Sequence, residues 1–466
     1  MQWHDVRKEK VVQMKIIILA GGGGTRLFPL SRKSRPKQFL TIDKDASLLG
    51  ETIERFRNMI RPEDIVVVTN ESYVHHVRTE LRASGAEGAH IVMEPTARNT
   101  APAIALAAKF CLDKLGSSED EVMFISTSDH ILRPALSFQN AVMKAAAFAA
   151  KGHVVTFGIH PTKPETGFGY IETGKDLGGA FETASFKEKP NEETAREYLE
   201  KGNYYWNSGM FAFRIDCYLQ EIAHYAPDIF AHLADTYEET IAQFGEMPSI
   251  SVDYAVAEKS GKGVTLPLKL YWNDVGSWDA IYEVLEKDDD GNAIKGDAIA
   301  IDCKDNLIFG QSRLIAGIGL KDVMIIETDD VILVAQKGES QKVKDLVETL
   351  KRRGRKEAVE HTTLYFEWGQ QSLLGAGAGY KMKKLVVHSG AGLSRRMHYH
   401  RSVHWVVTRG TAEVEINGEA QLVHDNESVY IPKTAPYSLK NPGRIDLELI
   451  EVENGDYLED DDVIFL

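Results

Sequence analysis

From Lys15 the run KIIILA is a continuous apolar strand that opens directly onto four glycines at positions 21–24. A strand without polar alternation is buried on both faces, the habit of strands in α/β sheets covered by helices on each side. Consecutive glycines at its end let the backbone bend with positive φ and bring N–H groups close to an anion that a side chain would keep out. The chain then continues TRLFPLSRKSRPKQFL, with Arg26, Arg32, Lys33, Arg35 and Lys37 and no acidic residue. Together these residues read as one concentrated anion site in which Arg26 and Lys37 neutralise charge. The pattern is neither the GxxxxGK[ST] of a P-loop nor GxGxxG with a downstream acid. A tight turn with a solvated basic start is therefore the competing reading at this point.

At 466 residues the chain needs at least two cores, and 43% hydrophobic with 26% charged residues is the composition of a chain that folds throughout. The net charge of −15 excludes nonspecific nucleic-acid binding through a broad basic face, so an anionic ligand must meet a local basic site. No apolar run approaches the roughly 20 residues of a membrane span, and MQWHDVRKEKVVQMK is too charged for a signal peptide. The expectation is a cytoplasmic protein with no membrane or nucleic-acid partner. Cys111, Cys217 and Cys303 are widely spaced and expected to be buried thiols.

Two aspartates have the setting of cation ligands. Asp129 in STSDHIL follows the apolar run VMFI, so it lies at the carboxyl end of a parallel strand, where open α/β sheets bind ligands. Asp274 in WNDVGSW is a second carboxylate, and the pair would offer hard oxygens to Mg²⁺ against a triphosphate. Lone aspartates also cap helices and form turns, which is the bland alternative for each. Glu188 and Lys189 stand before a proline, which favours an extended presentation suited to a hydroxyl and a phosphate. Arg98, Asn99 and Thr100 begin a helix, APAIALAAKFCL, whose N-terminus faces an anionic ligand.

After WNDVGSWDAI, short apolar runs alternate with Gly, Asp and Asn turns and end in an amphipathic helix, SQKVKDLVETLKRRG. This connector shows no chemistry and is expected to pack domains or subunits together. From His361 onward the pattern is all β, as in a jelly roll. It contains MHYHRSVHWVV, with His398, His400 and His404.

The stretch AGGGGTRLFPLSRKSRPKQFL resembles the signature of sugar-1-phosphate nucleotidylyltransferases, GGxGTRLxPLS…PKQ, and its PKQF ending is that of the mannose-1-phosphate guanylyltransferases. Further blocks agree in order: EPTARNTAPAIALAA, TSDHIL, TGFGYIE, FKEKPN, YYWNSGMFAFR, SVDYAVAEK and WNDVGSWDAI. The resemblance covers nearly the whole chain from Met14. It implies a Rossmann-like, glycosyltransferase-A-like α/β nucleotidyltransferase domain over 14–285, a β-helix-like connector with a terminal helix over 286–360, and a cupin over 361–466, preceded by an extension at 1–13. It implies synthesis of GDP-mannose and pyrophosphate from GTP and mannose 1-phosphate with Mg²⁺, in a homo-oligomer, expected as a dimer. The residues it assigns are Arg26, Lys37, Asp129 and Asp274 for catalysis, with both aspartates on Mg²⁺. Gly21, Gly22, Gly24, Thr25, Arg98, Asn99, Thr100 and Asp129 would meet the nucleotide, while Gly169, Glu188, Lys189 and Asn207 would meet the sugar phosphate.

The cupin of bifunctional relatives is a metal-dependent mannose-6-phosphate isomerase with the pattern QMHHHRxEHWxV and a later IPxxxxHRLENPG. Here Arg396, Val403 and Tyr437 replace the glutamine, the glutamate and the later histidine. His398 and His400, spaced i and i+2, are expected on one strand and one face, with His404 at even spacing as a partial substitute. A metal such as Zn²⁺ would be weakly held, so the expectation is an isomerase lost or altered. Two alternatives stand beside this reading: an enzyme that also isomerises mannose 6-phosphate through the cupin, and a non-catalytic sugar-nucleotide sensor.

Overall fold

A computed structural model describes residues 13–22, 24 and 26–466, which form two compact units. Most of the expected extension, and Thr25, lie outside the described residues. The first unit comprises the chain up to Leu27 together with Pro36–Glu286; the second comprises Phe28–Arg35 and Lys287–Leu466. The sequence suggests an unbroken first domain from residue 14 to 285. Instead, eight residues of the signature loop belong by their packing to the second unit.

Among the described residues the first unit is built on eleven strands: β1 (Met14–Leu19), β2 (Ile65–Asn70), β3 (His90–Glu94), β4 (Val122–Thr127), β5 (Ile131–Arg133), β6 (Val154–Ile159), β7 (Tyr170–Asp176), β8 (Phe181–Lys187), β9 (Tyr204–Arg214), β10 (Gly263–Leu268) and β11 (Tyr271–Asn273). Nine form one mixed sheet in the order β3-β2-β1-β4-β9-β6-β10-β8-β7. β1 to β4 run parallel, and β9 is antiparallel to both β4 and β6. The unbroken apolar character of β1 has a direct cause. Ile16 and Ile18 pack on one side with Phe56, Phe124 and Phe138, while Ile17 packs on the other with Val66, Ile104 and Met123. Each fully buried isoleucine contributes roughly 1.5–3 kcal/mol. β5 and β11 form a separate antiparallel ribbon in which Ile131 pairs with Asn273, and this ribbon sets the site described below.

In the second unit, Ala293–Lys295, Leu307–Phe309 and Val323–Glu327 stack in parallel, and Ile332–Gln336 closes the sheet antiparallel. Ala298–Ile301 and Ile315–Ile318 form a second parallel pair, giving the short β-helix. Its rungs are pinned by buried asparagines. Asn306 Nδ2 donates to Asn292 Oδ1 at 2.9 Å and to the Leu320 carbonyl at 3.0 Å, while Val323 N donates to Asn306 Oδ1 at 2.9 Å. The helix Val343–Arg352 follows. Residues from 363 onward form six-stranded and five-stranded sheets enclosing Leu385, Trp405, Val414, Tyr437 and Leu449, the expected β-sandwich.

Candidate active site and the β-sandwich histidines

β1 and β4 run side by side and end together, with Leu19 paired to Thr127, so the glycine turn and Asp129 emerge at the same edge of the sheet. Asp274 comes to Asp129 by another route. It follows Asn273, whose partner in the β5–β11 ribbon is Ile131, two residues past Asp129. Lys37, in the short 3₁₀ turn Lys37–Phe39, lies between them: its Nζ donates to Asp129 Oδ2 at 2.9 Å and also to the Asp274 carbonyl. Three residues more than 90 positions apart thus share one point. Burial pushes the Asp129 carboxyl up, but the Lys37 charge and hydrogen bond, joined by His130 once its ring protonates in acid, hold the group below its ordinary range. Asp274 Oδ1 accepts from Gly276 N at 3.2 Å, and a Cβ at Gly276 would stand 2.4 Å from Asp274 Oδ2, which explains a glycine there.

A cleft of about 490 Å³ adjoins this point, lined among others by Gly21, Gly22, Glu94, Asn99, Thr100, Asp129 and Asp253. Gly21 and Gly22 do not have the positive φ expected of them. A Cβ at Gly21 would sit 2.9 Å from Glu94 Oε2 and push that carboxyl aside, while Gly22 faces open space. Gln38 Nε2 holds the start of the turn by donating to the Ala20 carbonyl at 2.9 Å. Arg26 is exposed and Gly24 lies beside it in the chain; neither lines the cleft. Asn99 caps the helix Thr100–Leu115 by accepting from Thr100 N at 2.8 Å, and Thr100 Oγ1 accepts from Val252 N at 2.8 Å. Arg98 turns away and donates to the Gly245 carbonyl.

The basic run is not one anion site. Lys37 is in the cleft cluster, Lys33 is exposed, Arg35 stacks on Tyr365 with its guanidinium carbon 5.4 Å from the ring centre, and Arg32 is buried within the second unit. The long-range partners of Arg32 and Arg35 cannot be seen from local spacing.

The residues expected at the sugar end do come together. A Cβ at Gly169 would stand 2.3 Å from Glu188 Oε2, and Lys189 Nζ donates to Glu188 Oε1 at 2.9 Å. Lys189 is not extended, as a residue before proline is expected to be, but left-handed with φ 47°. The turn is fixed where Glu188 N donates to Glu258 Oε1 at 2.9 Å, and Lys189 folds back onto Glu188. Asn207 is engaged internally on both sides: Oδ1 accepts from Thr156 Oγ1 and Gly209 N, both at 3.1 Å, and Nδ2 donates to Asp253 Oδ1 at 2.7 Å. It therefore orients Asp253.

Several residues that sequence reasoning did not single out complete the site. Burial raises the carboxyls of Asp253 and Glu188 and lifts Glu94 to about 7. Burial lowers His130 to about 4, so its ring is neutral at pH 7; Nδ1 accepts from Trp272 Nε1 at 3.3 Å and Nε2 faces Asp129 at 3.6 Å. Arg55 donates to the His130 carbonyl at 2.7 Å and steadies the turn that carries Asp129. Asp253 and Glu258 stood in the quoted SVDYAVAEK block, but an acidic residue in a loop carries no local sign of burial.

Residues 15–291 match the nucleotidyl transferase family, 296–350 the MannoseP isomerase/GMP-like beta-helix domain, and 353–466 the mannose-6-phosphate isomerase C-terminal family. A mannose-1-phosphate guanylyltransferase of Salmonella montevideo is 41% identical over 465 residues, covering 96% of this chain and 97% of that one. That of Escherichia coli K12 is 42% identical with 96% of each chain covered, and the xanthan biosynthesis protein XanB of Xanthomonas campestris is 44% identical with 96% and 97% covered. The chain belongs to the mannose-1-phosphate guanylyltransferases. Among solved structures, a protein described as a mannose-1-phosphate geranyltransferase from Thermus thermophilus superposes with a TM-score of 0.66 at 30% identity, over 73% of this chain and all of that one.

Within this guanylyltransferase the β-sandwich histidines are arranged differently from the expectation. His398 ends the strand Gly392–His398, His400 lies in the following turn, and His404 belongs to the next strand, Arg401–Arg409. The turn at 399–400 interrupts the strand, yet His398 and His400 both direct Nδ1 towards Asp462, which lies 4.0 Å from His398, while His404 stands apart. His398 is buried with Nε2 2.7 Å from the Tyr437 hydroxyl. His400 is 62% exposed and bonds Asp462 through Nδ1 at 2.7 Å. His404 points outward beside Tyr430. Among the described residues no group of three His, Cys, Asp or Glu side chains is placed to hold a metal ion.

The sandwich interior holds ion pairs instead. Arg401, fully buried, donates to Glu453 at 3.0 Å and Asp462 at 3.1 Å; Lys383 Nζ donates to Glu453 at 2.7 Å, and Trp405 Nε1 to Glu451 at 2.8 Å. Val403 is buried beside them, where the family pattern has a glutamate.

Proposed function

We propose that the chain joins GTP and mannose 1-phosphate into GDP-mannose with release of pyrophosphate. The observation that carries this reading is the meeting of Lys37, Asp129 and Asp274 beside a cleft walled by the glycine turn. Glu94 supports guanine as the base: a buried carboxyl facing the cleft matches the adjacent N1–H and 2-amino donors of guanine, whereas uracil and thymine offer one N–H between two carbonyls. Asn99 and Thr100 border the nucleotide; Gly169, Glu188 and Lys189 form the sugar-phosphate end, and Asn207 holds Asp253 against it.

In the reaction a phosphate oxygen of mannose 1-phosphate attacks the α-phosphorus of GTP in line. The bond from the α-phosphorus to the bridging oxygen breaks, and pyrophosphate leaves with that electron pair. The attacking phosphate is already ionised at neutral pH, so no general base is needed. Lys189 orients it, Arg26 and the turn amides neutralise the triphosphate, and Lys37 adds a positive charge at the aspartates. Asp129 and Asp274 would hold Mg²⁺ through their hard carboxylate oxygens, and the ion would neutralise charge developing on the leaving group.

We propose that the β-sandwich has lost or altered its isomerase activity. Val403 cannot ligate, Tyr437 occupies the Nε2 of His398, and His404 faces outward, so the side chains present do not fit a Zn²⁺-type site. We also assign the protein to the cytoplasm, consistent with three buried free thiols, and to a homo-oligomer. The exposed Ile299, Ile301, Ile318, Ile332 and Val334 of the connector support self-association.

The decisive test is pyrophosphate release and GDP-mannose formation by the purified chain, with mannose-6-phosphate isomerisation assayed in parallel. Arg26→Ala is expected to lower turnover at least about a hundredfold with an unchanged circular dichroism spectrum, on the order of the loss when a preorganised charge-stabilising donor is removed. Near-normal turnover in that variant would refute the assignment, and binding of GDP-mannose without turnover by the parent chain would favour a sensor.

A further inference from the structure

Residues Phe28–Arg35 form a small hairpin, with Arg32 N donating to the Arg35 carbonyl at 3.2 Å and Arg35 N to the Arg32 carbonyl at 3.1 Å. The hairpin is fastened by residues some three hundred positions later. Arg32 forks onto Asp330, NH1 to Oδ2 at 2.5 Å and NH2 to Oδ1 at 2.6 Å. Its remaining N–H groups reach the Glu360 carbonyl at 2.5 Å, Thr328 Oγ1 at 3.5 Å and, from Nε, the Pro29 carbonyl at 3.1 Å. All five guanidinium protons are thus accounted for. His361 adds a bond between its Nε2 and the Leu30 carbonyl at 2.9 Å, and Arg35 NH1 donates to the Tyr365 hydroxyl at 3.2 Å. Burial and the Arg32 charge lower His361 to about 4, so the ring is neutral and Nε2 carries the proton donated to Leu30.

A surface turn does not need a saturated, buried guanidinium. The hairpin lies two residues after Arg26 and two before Lys37, so both cations assigned to the triphosphate are tethered to its ends. We propose that Arg32 and Asp330 are positioning residues for nucleotidyl transfer: their clasp holds the hairpin rigid and thereby fixes the spacing of Arg26 and Lys37, which flank its two ends. The connector then has a part in catalysis through Asp330. This rests on the reading of Arg26 and Lys37 as triphosphate residues. The bidentate fork is the reason arginine is needed, since lysine would supply the charge without the geometry.

The test uses the full chain and the variants Asp330→Asn, Arg32→Lys and Arg32→Ala, with Arg26→Ala as reference. Asp330 is partly exposed, so Asp330→Asn is the mildest perturbation and keeps the test open if Arg32→Ala fails to fold. Misplacing the cations is expected to raise the KM for GTP about tenfold in Asp330→Asn and Arg32→Ala, with an intermediate rise in Arg32→Lys. The KM for mannose 1-phosphate should stay within about twofold, since Glu188 and Lys189 are not tethered to the hairpin. A fastener that only stabilises the fold would lower the melting temperature and the active fraction and leave both KM values unchanged, which overturns the proposal. If Arg26→Ala itself leaves the KM for GTP and turnover unchanged, the reading of the loop fails first, and the positioning role with it.

Discussion

Burial raises the Glu94 carboxyl from its ordinary 4.5 to about 7, and this sets how the first unit responds to pH. Between those values the folded chain keeps a proton that the unfolded chain has lost, so stability is highest on the acid side and falls as pH rises through about 7. Glu94→Gln removes that titration. It should stabilise the protein by about 2 kcal/mol at pH 8 and by little at about pH 4.5, read as a difference in melting temperature by calorimetry. Equal shifts at both pH values would contradict a buried, titrating Glu94. His130 has the opposite sign: its folded value of about 4 lies below the ordinary 6.5, so its contribution is present above pH 6.5 and lost as pH falls towards 4. At this scale the sequence was legible where residue type and local position suffice. Asp129 follows an apolar strand, and Lys37 and Asp274 stand in distinctive blocks. Glu94 and Asp253 were not legible, because what marks them is desolvation by residues far along the chain.

Elements behave differently, because their errors come from where the chain turns. The apolar run of β1 predicted its two-sided burial correctly, since a period of two needs no knowledge of neighbours. The same rule failed for His404, because the turn at 399–400 interrupts the strand on which parity was counted, although His398 and His400 still both reach Asp462. What fills the sandwich instead is a set of buried ions, and their removal is expected to be costly. Arg401→Met would leave Glu453 and Asp462 without their shared cation and should destabilise the second unit by about 3–5 kcal/mol in denaturant unfolding. In the connector, Asn306→Ala removes the side-chain bonds to Asn292 Oδ1, the Leu320 carbonyl and Val323 N; the first two keep backbone donors and Val323 N loses this acceptor, for an expected loss of about 1–3 kcal/mol. A loss under about 0.5 kcal/mol would show that the asparagine ladder does not hold the rungs together.

For the whole molecule, the two units should answer differently to chelation. Removing divalent ions is expected to abolish nucleotidyl transfer while leaving the melting of the second unit unchanged, because its buried charges are matched by Arg401 and Lys383. Stoichiometric metal retained by that unit, or a melting transition that drops with chelator, would reverse this. The order of the modules was readable from block motifs and texture. The hairpin's allegiance to the second unit was not, because Arg32 and its partner are separated by 298 residues. That separation also has a meaning in time. At about 5–20 residues per second of synthesis, the nascent hairpin waits roughly 15–60 s for Asp330 to be made, so its clasp closes only after the connector has left the ribosome. A chain cut near residue 286 would never reach that moment, and its nucleotide loop would stay permanently unfastened.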